Sequence, residues 1–404
     1  DPGNRRPSLN PLGRQIAMQK KYLVILGDGM ADEPLDELGG KTPLEFAHTP
    51  NMDRIAHDGC MGLVQTIPDG FEPGSDIANL GLLGYDPRTF YTGRGPLEAA
   101  SMQIELGSSD IAYRCNLVMV RDGIMADFSA GHISSAEGKE LLSSLENTVP
   151  SATFYPGISY RNLLVLHGGS GSLTVPPHDI VGREIVPFLP RGGDGPALIS
   201  CMEKSREIFR DHPVNRARLA AGKLPATQVW PWSGGKSPSL PSFRERFGKR
   251  GGIISAVDLL QGIARCAKME VIEVPGATGY LDTDYQAKAR YALSALEHLD
   301  FLYVHIEAPD EAGHLGDVRE KVLAIERVDA MIGTIMQGFA GIIAILPDHP
   351  TPVRLKTHTT DPVPFAILGK GRDTTRTFSE REAARGGYGT ITATELLPLL
   401  FSPS

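Results

Sequence analysis

The sequence predicts an α/β protein, built on a doubly wound and mostly parallel sheet with a smaller α+β domain inserted into it. Two observations give the sheet. Apolar runs of strand length, such as Tyr22–Leu26 (YLVIL), Asp300–Ile306 (DFLYVHI) and Gly341–Leu346 (GIIAIL), alternate with helical stretches. The first of these runs is apolar throughout and the others nearly so, as strands covered on both faces are. A third observation gives the insert. From about residue 107 to 232 short strand-like runs cluster together, and Pro and Gly become frequent (Pro176-Pro177, Pro187, Pro190, Gly192-Gly193). The core is therefore expected over 18–106 and 233–404, with the insert over 107–232.

In chain order, residues 1–17 (DPGNRRPSLNPLGRQIA) lack apolar periodicity and are expected to be an extension or leftover ahead of a native start at Met18. The strand Tyr22–Leu26 ends in Gly27-Asp28-Gly29, where glycine permits a sharp turn and a close approach to Asp28. A helix follows over 51–59. Ser75 comes after Gly74 and stands at the head of a helix over 76–83, either as an N-cap or as a hydroxyl beside free backbone N–H groups that attract anions. The turn Thr92-Gly93-Arg94-Gly95-Pro96 leads into a helix reaching about Glu105. Inside the insert, strands are expected at 111–120, 162–167 and 172–175, and helices at 135–145 and 197–210. Arg216 and Arg218 read as solvated helix residues. Trp230–Pro241 (WPWSGGKSPSLP) has the composition of a linker. Strand and helix then alternate: strands at 252–255, 270–274, 300–306, 341–346 and 364–368, helices at 257–268, 285–298, 318–338 and 392–400.

Composition excludes several classes. In 404 residues, 41% are hydrophobic and 22% charged, as in an ordinary globular protein. No apolar stretch approaches the roughly 20 residues that span a bilayer. A net charge of -8 without a basic stripe argues against a nucleic-acid partner. The four cysteines are widely spaced and form no C-x-x-C pair, which suits reduced thiols in the cytoplasm.

In an open α/β sheet, ligands gather beyond the carboxyl ends of the strands. Three such ends carry carboxylates: Asp28, Asp310 and Asp348. Asp310 and His314 stand four apart, so on a helical turn they face one way. His349 adjoins Asp348, and His358 follows after a loop stiffened by Pro350 and Pro352. The donors divide into two sets, Asp310, His314 and His358 in one, Asp28, Asp348, His349 and Ser75 in the other. Two divalent ions about 4 Å apart would clamp a phosphoryl group between them, and a bound serine hydroxyl would become a nucleophile at neutral pH. Mixed Asp/His ligation suits Mn²⁺ or Zn²⁺ ahead of Mg²⁺.

The motifs KYLVILGDGMAD, GSDIANLGLLGYDP, YTGRGPLEAA, APDEAGH and LPDHPTP with KTHT, in order from residue 21 to 359, closely resemble the archaeal-type cofactor-independent phosphoglycerate mutases of the alkaline phosphatase superfamily. The resemblance implies an alkaline phosphatase-like core with two metals, a phosphoserine intermediate on Ser75, and exchange of 3- and 2-phosphoglycerate in glycolysis without 2,3-bisphosphoglycerate. It also favours a substrate role for His132. Arg114, Arg161 and Lys236 are the further cations available to the substrate. The rival readings are a homoserine kinase-like phosphotransferase, a phosphomonoesterase on the same core, and a metal-stabilised binding protein. The chain has no P-loop: where Gly235-Lys236-Ser237 would end one, the first glycine is Trp230. A binding protein would have no use for a serine poised at a metal pair. The sequence leaves the oligomeric state open.

Overall fold

The computed structural model describes residues 20–403; the expected extension and the start at Met18 lie outside them. Among the described residues the strands are β1 (Tyr22–Gly27), β2 (Cys60–Gln65), β3 (Ile111–Arg121), β4 (Ile124–Asp127), β5 (Ala152–Ile158), β6 (Arg161–Leu166), β7 (Gln228–Gly235), β8 (Gly251–Ile254), β9 (Glu270–Val271), β10 (Phe301–Ile306), β11 (Ile342–Leu346), β12 (Val363–Leu368) and β13 (Thr390–Thr392). They form two sheets. The larger runs β13-β2-β12-β11-β1-β10-β8-β9; the smaller runs β4-β3-β6-β5, with β7 also paired to β3.

The larger sheet is mixed but mostly parallel, because β12 alone runs antiparallel to its neighbours β11 and β2. Both of its faces are covered, and the strand sequences show why. Leu23 and Ile25 of β1 pack with Ile325 and Ala292, from the helices Val318–Gly338 and Tyr285–Ala295. Tyr22, Val24 and Leu26 face the other way, toward Leu80, Ile263 and Leu400 of three further helices. With alternate residues buried on opposite sides, an uninterrupted apolar run is what the chain requires. β1 lies at the centre of this sheet. Gly27 is in register with Ile306 of β10, and Leu26 with Leu346 of β11, so these three strands end at one level.

The smaller sheet is antiparallel. One face packs on the helices Ser135–Ser143 and Gly195–Arg210 through Leu141 and Leu198. Its other face is partly covered by the helix Arg94–Ser101, whose Ala99 meets Ala112, Leu163 and Val165.

Four local expectations are corrected. Residues 172–175 form no strand, only a bridge from Leu173 to Arg191. The first half of the supposed linker 230–241 is strand β7. The expected helix over 392–400 is the end of β13, one 3-10 turn and a short helix, Leu396–Phe401. Arg218 is not solvated: it is buried, and its guanidinium donates to Leu224 O, Glu137 Oε2 and Ala130 O. The buried carbonyls of the segments beside the helix Pro213–Ala220 need a donor, and Arg218 supplies it. No helix among the described residues is long and apolar enough to cross a membrane.

Candidate active site

Where β1, β10 and β11 end together, the backbone leaves the sheet and delivers its polar side chains to one place. Asp28 follows β1, and its N–H still donates to Ile306 O. Asp310 and His314 share one side of the helix Ala308–Leu315 that follows β10, so the four-residue spacing is helical as expected. Asp348 and His349 follow β11. Ser75 is the first residue of the helix Ser75–Leu82; Gly74 takes the N-cap position, and no side chain caps this end. The hydroxyl is thereby left for other work.

The structure brings the seven expected donors to one place, and ligand atoms there cluster as Asp310, His349 and His358, as Asp28, Asp348 and His349, and as Asp28, Asp310 and Glu307. His314 Nε2 lies 3.2 Å from Asp310 Oδ2, His358 Nε2 3.2 Å from Asp310 Oδ1, and the two Nε2 atoms 2.9 Å from each other. In the second set, His349 Nε2 stands 3.4 Å from Asp28 Oδ1 and 3.5 Å from Asp348 Oδ2. Ser75 Oγ lies 3.1 Å from His349 Nε2 and 3.3 Å from Asp28 Oδ2. The sets touch, because the rings of His349 and His358 lie 3.9 Å apart.

The residues suit divalent cations on three counts. Each imidazole has its Nδ1 engaged: His314 with Lys356 O, His358 with Pro73 O, His349 with Thr351 Oγ1. That fixes the rings with Nε2 turned to the centre, as metal-ligating histidines are held. Burial and the nearby Asp348, Asp310 and Glu307 carboxylates push the Asp28 carboxyl well above the usual range. Asp28 Oδ1, fully buried, has no hydrogen-bond partner among the described residues. Carboxylates crowded in a dry site, one oxygen unpaired, call for positive charge. Burial favours a neutral His349, the form that binds metal. Burial alone would also raise Asp310, yet hydrogen bonds from His314 and His358 hold it well below the usual carboxylate range. The same Asp310 lifts His314 to about 9.

Four residues around the site were missed in the sequence. His305, within the apolar run of β10, places Nε2 3.0 Å from Asp28 Oδ2. Glu307, pushed up to about 8 by burial and by Asp310, offers an oxygen near those of Asp28 and Asp310. Asn79 donates to Asp348 Oδ2 and to Ser75 O, tying the helix that begins at Ser75 to the loop after β11. Thr351 donates to Asp310 Oδ1. A histidine inside an otherwise apolar strand was the one legible signal among them.

Residues 56–215 match the sequence profile of the 2,3-bisphosphoglycerate-independent phosphoglycerate mutases. A mutase of that description from Methanothrix thermoacetophila is 52% identical over 390 residues, 95% of this chain and all of the relative. The chain belongs to this family. A probable member from Geobacter sulfurreducens is 53% identical over 360 residues, covering 86% of this chain and 90% of its own. Among solved structures, a Pyrococcus horikoshii protein aligns with a TM-score of 0.83 at 31% identity, over 96% of this chain and 99% of that one. The cofactor-independent phosphoglycerate mutase of Thermoplasma acidophilum aligns at 0.68 with 28% identity, over 94% and 98%.

Three of the four residues expected to meet substrate in this mutase lie along a row of rings beside the smaller sheet. His132 meets Tyr160 edge-on at 5.8 Å, and Arg161 lies over the same ring. Tyr160 contacts Phe128, Phe128 contacts His178, and His178 contacts Trp232. Arg114 sits over Trp232 and is held through Nε by Glu98 Oε2 at 2.6 Å. His132, Arg161 and Arg114 are thus joined by one row, in which His178 is a further member that the sequence did not signal. Lys236 is exposed just beyond β7, where its carbonyl accepts from Thr92 Oγ1, and it does not join the row.

Proposed function

We propose that the chain interconverts 3-phosphoglycerate and 2-phosphoglycerate through a phosphoserine on Ser75, without 2,3-bisphosphoglycerate. The observation that carries this reading is the place of Ser75 Oγ: 3.3 Å from Asp28, 3.1 Å from His349, at an uncapped helix N-terminus. Asp28, Asp348, His349 and Ser75 would hold one divalent ion, and Asp310, His314 and His358 the other, with Mn²⁺ ahead of Zn²⁺ and Mg²⁺. Such ions, when bound, neutralise phosphoryl oxygens and ease loss of the serine proton.

Ser75 Oγ gives up its proton and attacks phosphorus in line, forming the Oγ–P bond as the bond to the glycerate oxygen breaks. The departing oxygen takes a proton. The free backbone N–H groups at the head of the helix Ser75–Leu82 face the developing charge. The glycerate then turns, and its other hydroxyl loses a proton and attacks the same phosphorus. The Oγ–P bond breaks, and Ser75 recovers its hydroxyl. His132, Arg114 and Arg161 are candidates to hold the glycerate between the two transfers, and Lys236 a further cation beside them. Water must stay out during that interval, or the product would be phosphate.

The test is direct. Protein loaded with Mn²⁺ is given 3-phosphoglycerate without 2,3-bisphosphoglycerate, and 2-phosphoglycerate and free phosphate are followed. Formation of 2-phosphoglycerate is expected, with Ser75→Ala inactive but retaining its metal. Phosphate as sole product would make the chain a phosphomonoesterase, and normal turnover by Ser75→Ala would remove the phosphoserine.

A further inference from the structure

Arg94 opens the helix Arg94–Ser101 and reaches back to the residue after the nucleophile. Its Nε donates to Asp76 Oδ2 at 3.1 Å, and Tyr91 OH donates to that same oxygen at 2.6 Å. Asp76 is buried, and burial works against its charge, but the Arg94 guanidinium holds its carboxyl below the usual range. The Nε is the nitrogen that donates to Asp76, Tyr91 also lies within hydrogen-bonding reach of the guanidinium, and a third of the side chain is exposed. Nη2 lies beside the peptide leading into Ser75: a Cβ placed on Gly74 would stand 3.3 Å from it. A planar guanidinium held through Nε, with an Nη group turned toward Ser75, matches a phosphoryl group, which can take two N–H bonds at once.

The other end of Arg94 is held by the smaller sheet. Its backbone N–H donates to Ser233 Oγ of β7 at 3.1 Å. Gly93 and Gly95 press on the same region: added Cβ atoms would stand 3.0 Å from Gly234 O and 2.1 Å from Ala112 O. Ser233 has a φ of 49°, a left-handed conformation uncommon for a residue with a side chain, and its own N–H donates to Thr174 Oγ1 at 3.0 Å. A strained serine that spends its hydroxyl on the arginine's backbone is a support for that arginine.

We propose that Arg94 binds the phosphoryl group at Ser75, with Asp76 and, from the smaller sheet, Ser233 as its positioning residues. The assignment rests on reading Ser75 as the nucleophile. Arg114 repeats the arrangement further out, held through Nε by Glu98 beside Trp232. The two arginines thereby offer separate cations to a substrate that carries an anion at each end.

The experiment measures equilibrium binding of inorganic phosphate to metal-loaded full-length protein in a Ser75→Ala background, where nothing turns over. Arg94→Met is expected to weaken phosphate by about tenfold to a hundredfold, the range for losing charged hydrogen bonds, and Arg94→Lys by less. Ser233→Ala is expected to weaken it severalfold. The double variant Arg94→Met/Ser233→Ala should then be no worse than Arg94→Met, because the serine acts only through the arginine. Bound metal stays the same throughout. Phosphate affinity unchanged in Arg94→Met, losses that add in the double variant, or loss of metal in Arg94→Met would each overturn the assignment. Its fate is separate from that of the mutase reading. Arg94-dependent phosphate binding by a protein that forms no 2-phosphoglycerate would refute the mutase and leave the arginine in place. A working mutase whose Arg94→Met form binds phosphate normally would do the reverse.

Discussion

Lys321, in the first turn of the helix Val318–Gly338, is fully buried, and replacing it should show how the metal loops are held. Its Nζ donates to Asp32 Oδ2 at 2.7 Å, to Thr351 O at 2.8 Å and to Ala31 O at 3.2 Å. The ammonium therefore ties the loop after β1, which carries Asp28, to the loop after β11, which carries His349 and His358. Neither partner in the ion pair is exposed to solvent. Lys321→Met leaves the Asp32 carboxylate buried without its cation, a change that costs about 3–5 kcal/mol. Two carbonyls also lose their donor, while the N–H groups of Glu33 and Val353 still serve Asp32. The assay is urea unfolding followed by far-ultraviolet circular dichroism. Tryptophan fluorescence is the wrong probe, since both tryptophans lie in β7 of the other sheet. The double variant Asp32→Asn/Lys321→Met should recover much of the loss, because it removes the stranded charge. A loss below about 1 kcal/mol in Lys321→Met, or a double variant as unstable as the single one, would refute the reasoning.

Three other outcomes are expected. Gly29 has a φ of 64°, and a Cβ there would stand 2.6 Å from Thr351 Oγ1 and 2.8 Å from Asp310 Cα. Gly29→Ala should therefore weaken Mn²⁺ binding by about tenfold or more in a metal titration, with strain as the cause; wild-type affinity would contradict the crowding. Gly262 presses its helix onto the backbone of the helix Arg94–Ser101, where an added Cβ would meet Leu97 O at 1.9 Å, so Gly262→Ala should destabilise by about 1–3 kcal/mol in urea. The third concerns pH. His314 is raised from 6.5 to about 9 by Asp310, so the stability it lends the metal-free protein is complete below about 6.5 and lost as pH rises through about 9. Chelator-treated protein should thus show a falling Tm over that window, while Mn²⁺ affinity rises as the imidazole gives up its proton. A flat or rising Tm without metal would contradict the pairing.

The site was legible in the sequence because its ligands follow strands that announce themselves. Short β-branched runs such as GIIAIL read as buried strands, and a carboxylate after the end of each is visible without knowing which strands are neighbours. The smaller sheet was legible only in part: β3 and β6 were expected, β4, β5 and β7 were overlooked, and the last two share a reason. β5 contains Pro156 and Gly157, β7 contains Pro231, Gly234 and Gly235, and these residues read as loop. Each strand pairs on one side only, where a missing N–H can point away from the ladder. β2 was overlooked because Gly62 interrupts its apolar pattern. The antiparallel direction of β12 is set by long-range pairing, to which local pattern is blind. His305 stood out as an imidazole in an apolar run, but the run gives no sign of which face that imidazole takes. Ser75, Asp310 and His314 needed only their own neighbours in sequence to be placed correctly.

The two places where the chain passes between the sheets lie side by side. Ala112, near the start of β3, is in register with Gly235 at the end of β7, and the two strands stay paired as far as Val118 and Gln228. β3 is paired on its other side with β6 from Ile111 to Asn116, so the chain enters and leaves the smaller sheet on adjacent strands at one edge of it. Any swing of the smaller sheet about these two adjacent crossings works as a lever. Ser233 and Arg94 stand at the pivot and would hardly travel, whereas His132 and Arg161, at the far end of the row of rings, would sweep the longest arc. A substrate gripped at both ends would then feel one still point and one moving one. That is the mechanical condition for turning a glycerate while its phosphoryl group stays where it is.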